Sequence, residues 1–182
     1  MTLALDISTS CIGYAIFRED GKLLEMNAIS FSSKISYFER LTKFKDAIKH
    51  ILDMGVQRIA MEEPLKKFKG KFSSAHTISV LNFFNGMVSS FLYSHFGIEP
   101  VYYNVNNARK EVFPIFKAKK DGASQKHQIW ELVMRMEPQI NWKYSKRSGK
   151  LQETNYDMTD AYVVGACDFV IVSKQKEKLG TE

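Results

Sequence analysis

The chain has 182 residues, enough for one ordinary domain with a real core, and its 45% hydrophobic and 25% charged content argues against a disordered tail or a membrane protein. Lys and Arg number 26 against 20 Asp and Glu, a formal net charge of +6 that points mildly to a polyanionic partner. Apolar runs far shorter than a bilayer, and an N-terminus without a basic or long apolar stretch, argue against a spanning helix and a secretory signal.

Residues 3–7 form an apolar run that ends in the polar turn Asp6-Ile7-Ser8-Thr9-Ser10. Residues 12–17 predict a second strand, and Arg18-Glu19-Asp20-Gly21-Lys22 turns into a third over 23–31. Three strands joined by tight turns make an antiparallel meander. The period then changes. Phe38, Leu41, Phe44, Ile48 and Ile51 recur at helical spacing opposite Glu39, Lys43, Asp46 and Lys49, predicting one helix that ends near Gly55. Residues 56–61 read as a buried strand stopped by Glu62-Glu63-Pro64. A basic loop over 66–71 leads to Ser73-Ser74, a cap for a long helix reaching about His95. Ile78, Leu81, Val88 and Leu92 line one side of that helix, and Val80, Phe83, Phe84, Met87 and Phe91 another. It therefore needs cover on two faces, so it is central or lies at a subunit interface. Residues 101–105 predict a fifth strand and 106–113 a short helix. Ser124 opens a further helix with Ile129, Leu132, Val133 and Met136 inward. Residues 141–155 are polar and predict an exposed loop. The last helix runs from about Asp157 to Val172, with a frayed tail beyond Ser173. The order β-β-β-α-β-α-β-α-α predicts an α/β fold: a mixed five-stranded sheet, antiparallel meander plus parallel strands, flanked by helices. Cys11 and Cys167 sit in apolar segments with no Cys-x-x-Cys pair, so they read as packed free thiols of a reducing, cytoplasmic compartment and not as a zinc site or a disulfide.

Four carboxylates stand out. Asp6 ends the apolar first strand and Glu62 the apolar fourth, places where a buried charge is costly unless a cation or hydrogen-bond network compensates. Asp157 and Asp160 are three apart on a predicted helix and so share a face. Each alone would be an ordinary turn, cap or surface acid. Together they suit a hard divalent ion, Mg²⁺ or Mn²⁺, and four carboxylates can hold two such ions. Glu63 competes with Glu62, but adjacent strand residues face opposite ways, so only one of them can join Asp6.

The stretch Leu5-Asp6-Ile7-Ser8-Thr9-Ser10-Cys11-Ile12-Gly13-Tyr14-Ala15 resembles the opening of RuvC-type Holliday junction resolvases. Ile59-Ala60-Met61-Glu62-Glu63-Pro64 is similar to their fourth-strand motif, and Asp157-Met158-Thr159-Asp160-Ala161 to their final Asp-x-x-Asp-Ala helix. The three motifs stand in the right order over roughly the first 170 residues, while the sequence between them diverges. The resemblance implies an RNase H-like nuclease domain over 1–174 followed by a flexible tail over 175–182. It implies Asp6, Glu62 (over Glu63), Asp157 and Asp160 as catalytic metal ligands, hydrolysis of branched DNA with two ions, a homodimer built on the long helix, and no nucleotide cofactor. Lys66, Lys67, Lys69 and Lys71 interleave with Phe68 and Phe72 just after Glu62; lysines neutralise phosphates, and an exposed aromatic can stack on a base. A second basic cluster is Arg109-Lys110, then Lys117, Lys119, Lys120 and Lys126; by resemblance Phe68 or Phe72 is a junction wedge, and Lys110 and Lys126 match functional lysines. A solvated loop anchored by its phenylalanines is the ordinary alternative.

His50, His76, His95 and His127 show no ligand spacing and predict surface positions without partners, and Trp130 and Trp142 read as packing residues. Fork, flap or RNA–DNA hybrid cleavage shares the same chemistry, and a catalytically silent DNA-binding protein shares the fold. The first hairpin also resembles the phosphate-binding hairpin of actin-like sugar kinases, which need a second domain that this length does not allow.

Overall fold

The alternation along the first two strands sorts large side chains to one sheet face and small ones to the other, and this asymmetry shapes the computed structural model, which describes residues 1–64, 75–114 and 124–180. β1 (Thr2–Ile7), β2 (Cys11–Phe17) and β3 (Leu23–Ser30) form the antiparallel meander. β4 (Arg58–Glu62) runs parallel to β1, and β5 (Val101–Tyr103) parallel to β4, giving the order β3-β2-β1-β4-β5. The described helices are α1 (Tyr37–Ala47), α2 (Lys49–Leu52), α3 (Ala75–Phe96), α4 (Val105–Val112), α5 (Gln125–Met136) and α6 (Thr154–Leu179). Among the described residues no helix is long and apolar enough to cross a membrane.

Leu3, Leu5, Ile12, Ile16, Ile59 and Met61 point to one face, where Phe44, Ile48 and Ile51 meet Phe84, Val88 and Leu92 of α3. The opposite face carries Ala4, Ala15, Ala28 and Ala60 and is covered by α4, α5 and α6. Small residues let α6 lie very close to the strands. A Cβ added at Gly13 would stand 2.1 Å from the backbone oxygen of Asp157, and one at Gly165 2.3 Å from the Phe17 ring. Gly13 is also the register partner of Asp6, so the closest approach of helix to sheet falls beside that carboxylate. Farther along α6, Asp168 is fully buried, gripped by Arg58 through Nε at 2.8 Å and a terminal nitrogen at 2.6 Å, with the Tyr103 hydroxyl donating at 2.7 Å. A buried charge with each oxygen so engaged is tolerated, and it ties α6 to β4 and β5.

The helix expected over 38–55 is two. Ile48 breaks it at φ −98°, ψ 8°, which keeps Phe44, Ile48 and Ile51 all in the core. The fifth strand stops at Tyr103 because the Asn104 side chain accepts from the N–H groups of Asn106 and Asn107 and starts α4 there. The polar segment 141–155 is not wholly exposed. Asn155 is fully buried, donating to the carbonyls of Lys143 and Gln152 and accepting the Lys143 N–H, and so fixes the start of α6. That helix continues to Leu179, beyond the expected end at Val172, with residues 174–180 exposed.

Candidate active site

Ala4 pairs with Ala60, so two residues on in each strand Asp6 and Glu62 stand side by side on the α6 face. Glu63 follows the last residue of β4 and lines the same cleft as these two, its N–H donating to the Tyr103 carbonyl at 2.8 Å, but it is not among the three acids that converge. Asp160 descends from α6 onto the same spot. One carboxylate oxygen from each of Asp6, Glu62 and Asp160 lies within 4.8 Å of the others, and Asp6 and Asp160 are buried. Asp157, one turn earlier, lines the same cleft of about 350 Å³, together with Ser8, Asn106, Arg109 and Lys126. The Cys11 thiol lies beside its carboxylate.

Crowding carboxylates in a buried place makes each reluctant to ionise. Burial raises the Asp6 pKa well above its usual value, and the charges of Glu62, Asp160 and Asp157 add to the effect. Glu62 is also raised, by burial and then by Asp160, while its hydrogen bond with Asp6 and the charges of Lys126 and Arg109 pull the other way. Asp157 is raised mainly by burial, against the Cys11 thiol and Lys126. Two cations answer this charge. Arg109, buried on α4, places a guanidinium nitrogen 2.5 Å from Asp160 Oδ1. The Lys126 ammonium lies 3.0 Å from Oδ2. Hard oxygen donors this close, partly deprived of water, fit a small divalent cation of the Mg²⁺ or Mn²⁺ class.

Lys126 thus faces the acids, being the second residue of α5, which Ser124 caps by accepting the His127 N–H. Lys110 is exposed on α4. Lys66, Lys67, Phe68, Lys69, Lys71 and Phe72 lie outside the described residues. Arg109 was visible in the sequence only as one member of a basic cluster; its burial follows from the packing of α4 on α6, which no local pattern reports, although its neighbour Ala108 faces the core. The closeness of Cys11 to Asp157 was likewise hidden. Three histidines expected to stand alone do not: His50 bonds Glu25 at 2.9 Å, His95 Nε2 reaches the Leu52 carbonyl at 3.4 Å, and His127 Nδ1 shares a 2.9 Å bond with the Tyr156 hydroxyl. Trp130 and Trp142 pack edge-to-face at 6.0 Å.

This sheet order, with helices on both faces, is the RNase H-like fold in the form seen in RuvC-type resolvases. No family model matches the sequence, and no curated protein resembles it significantly in sequence. Solved structures resemble it in fold. A Thermus thermophilus RuvC in complex with a Holliday junction substrate superposes with a TM-score of 0.66 at 11% identity, over 95% of this chain and 94% of that one. The yeast mitochondrial Holliday junction resolvase gives 0.63 at 11% identity, over 97% and 80%. The fowlpox virus resolvase, solved with its junction DNA, gives 0.52 at 17% identity, over 94% and 97%.

The raised Asp6 pKa has a consequence for stability. A carboxyl whose folded pKa exceeds its unfolded one stabilises the protein fully below about pH 4, and that contribution is lost as pH rises through the folded value. At pH 7, without metal, ionising Asp6 therefore opposes folding, and a neutral amide of the same shape relieves it. Asp6→Asn should melt roughly 2–4 °C above the wild type in chelator at pH 7, the gap closing toward about pH 4. An equal or lower melting temperature at pH 7 would contradict this.

Proposed function

We propose that this chain is a divalent-metal-dependent endonuclease that hydrolyses phosphodiester bonds in branched DNA, four-way junctions above all. The observation that carries the reading is the meeting of Asp6, Glu62 and Asp160 within 4.8 Å, in a fold shared over nearly the whole chain with Holliday junction resolvases. Asp157 completes a four-acid set that has room for two ions. Two bound Mg²⁺ or Mn²⁺ ions would supply an activated water and stabilise the leaving oxygen. The chain's own residues do the rest. Asp6 and Glu62 project from rigid strands and Asp160 from a helix packed hard on the sheet, so the ligands are set before DNA arrives. Lys126 at the cleft, and Lys110 on the neighbouring helix, suit the backbone phosphates on either side of the scissile bond. Lys66, Lys67, Lys69 and Lys71 would extend this basic surface, with Phe68 or Phe72 as the wedge at the branch point. With Mg²⁺, the protein should cut a four-way junction in preference to fork, flap, hybrid and linear duplex. Glu62→Gln should lose at least about a hundredfold in cleavage rate while still binding the junction, and Glu63→Gln should not. Preference for linear duplex, or loss in Glu63→Gln with full activity in Glu62→Gln, would overturn the assignment.

A homodimer belongs to the same reading, because a four-way junction offers two equivalent strands and a two-fold pair of sites matches them. The surface is not quite the one first expected. Phe84 is fully buried beneath Phe31 and Tyr37 and cannot be an interface residue. One stripe of α3, formed by Val80, Phe83 and Met87, remains partly open, with Phe83 51% exposed and the 68% exposed Phe38 of α1 nearby on the surface. Light scattering at micromolar concentration should give twice the 20.9 kDa chain mass, and Phe83→Glu should return it to one chain with its melting unchanged. A wild-type mass of one chain would remove the dimer.

A further inference from the structure

Both oxygens of Asp160 already face cations, and the two cations differ in kind. On Oδ1 sits Arg109, buried, its other terminal nitrogen 3.4 Å from Asn106 Oδ1 and its helix started by the Asn104 cap. This side is fixed. On Oδ2 sits only the Lys126 ammonium at 3.0 Å, from a side chain that is half exposed. That contact is an ion pair and not an aligned hydrogen bond, so among the described residues Oδ2 is a buried acceptor without a hydrogen-bond donor, turned toward Lys126. Burial works against the Lys126 ammonium, but Asp160, Asp6 and Glu62 outweigh it and raise its pKa.

Resting on the metal-nuclease reading, we infer that Lys126 is an internal counterion that occupies the Asp160 corner of the site until DNA is bound. Its ammonium and a divalent ion compete for Oδ2. A lysine stem is flexible, its ammonium can reach a phosphate as readily as a carboxylate, and α5 begins one residue earlier, so its N-terminus favours an anion at that end. A DNA phosphate at the mouth of the cleft draws Lys126 outward and frees Oδ2 for the metal. Arg109, buried and anchored, stays on Oδ1 and keeps the carboxylate oriented. Metal affinity is therefore low in the free protein and rises with substrate, which keeps the hydrolytic site incomplete away from DNA. Because coupling is reciprocal, metal also tightens DNA binding.

Mn²⁺ binding to the DNA-free protein, measured by calorimetry and by the metal-induced rise in melting temperature, tests this without any cleavage. Lys126→Met should bind Mn²⁺ at least about fivefold more tightly than wild type, since a unit charge a few Å away is removed from the ligand. Lys146→Met, which removes an exposed charge of the same kind that makes no contact with Asp160 in the structure, should leave Mn²⁺ affinity unchanged. Equal or weaker binding in Lys126→Met, or an equal gain in Lys146→Met, would overturn the counterion role while leaving the metal site intact. If neither wild type nor Lys126→Met binds Mn²⁺, the metal-nuclease reading itself fails, and the inference with it.

Discussion

Everything at the candidate site depends on how closely α6 can approach the sheet. Carboxylates from β1, β4 and α6 can meet only if helix and strand backbones nearly touch, and they touch where Gly13 offers no side chain to the Asp157 carbonyl. Ala4, Ala15, Ala60 and Ala161 hold the same close spacing along the interface. Gly165 repeats the device under Phe17, and Asp168 with Arg58 and Tyr103 locks the far half of the helix. Most of the large strand side chains go to the other face, where they supply the hydrophobic stability that this thin interface gives up.

The energetic effect is to gather negative charge where water is scarce. Without a cation the arrangement opposes folding, as the raised pKa values of Asp6, Glu62 and Asp157 express. Arg109 and Lys126 answer only part of that charge. Sites tuned for function commonly stand at such a cost to stability, and the residual demand for positive charge is what would draw in a divalent ion.

Much of this was legible in the sequence, and the reasons differ by residue. The meander and the helical stretches follow from side-chain period, because one face of each element must be buried. Asp6 and Glu62 were conspicuous because each breaks an apolar run at its end. The motif resemblance favoured Glu62 over Glu63, and the register between β1 and β4, a tertiary fact, sets Glu62 beside Asp6. Ile48 looked like one more helical apolar residue, yet its burial is better served by a break than by a continuous helix. Asn155 lay hidden in a polar loop because an asparagine that ties two backbone segments has the same letter as a solvated one. Arg109 and Cys11 were overlooked for a related reason: a side chain that serves another side chain across the fold leaves no periodic signature.

The central claim, that three of these acids converge to hold a metal, is tested most directly by diffraction from crystals grown with Mn²⁺, using its anomalous signal. A peak about 2.1 Å from carboxylate oxygens of Asp6 and Glu62, with Asp160 or Asp157 completing the shell, is the predicted result. A well-ordered site with water in place of the ion at millimolar Mn²⁺, or a peak elsewhere on the protein, would contradict the account.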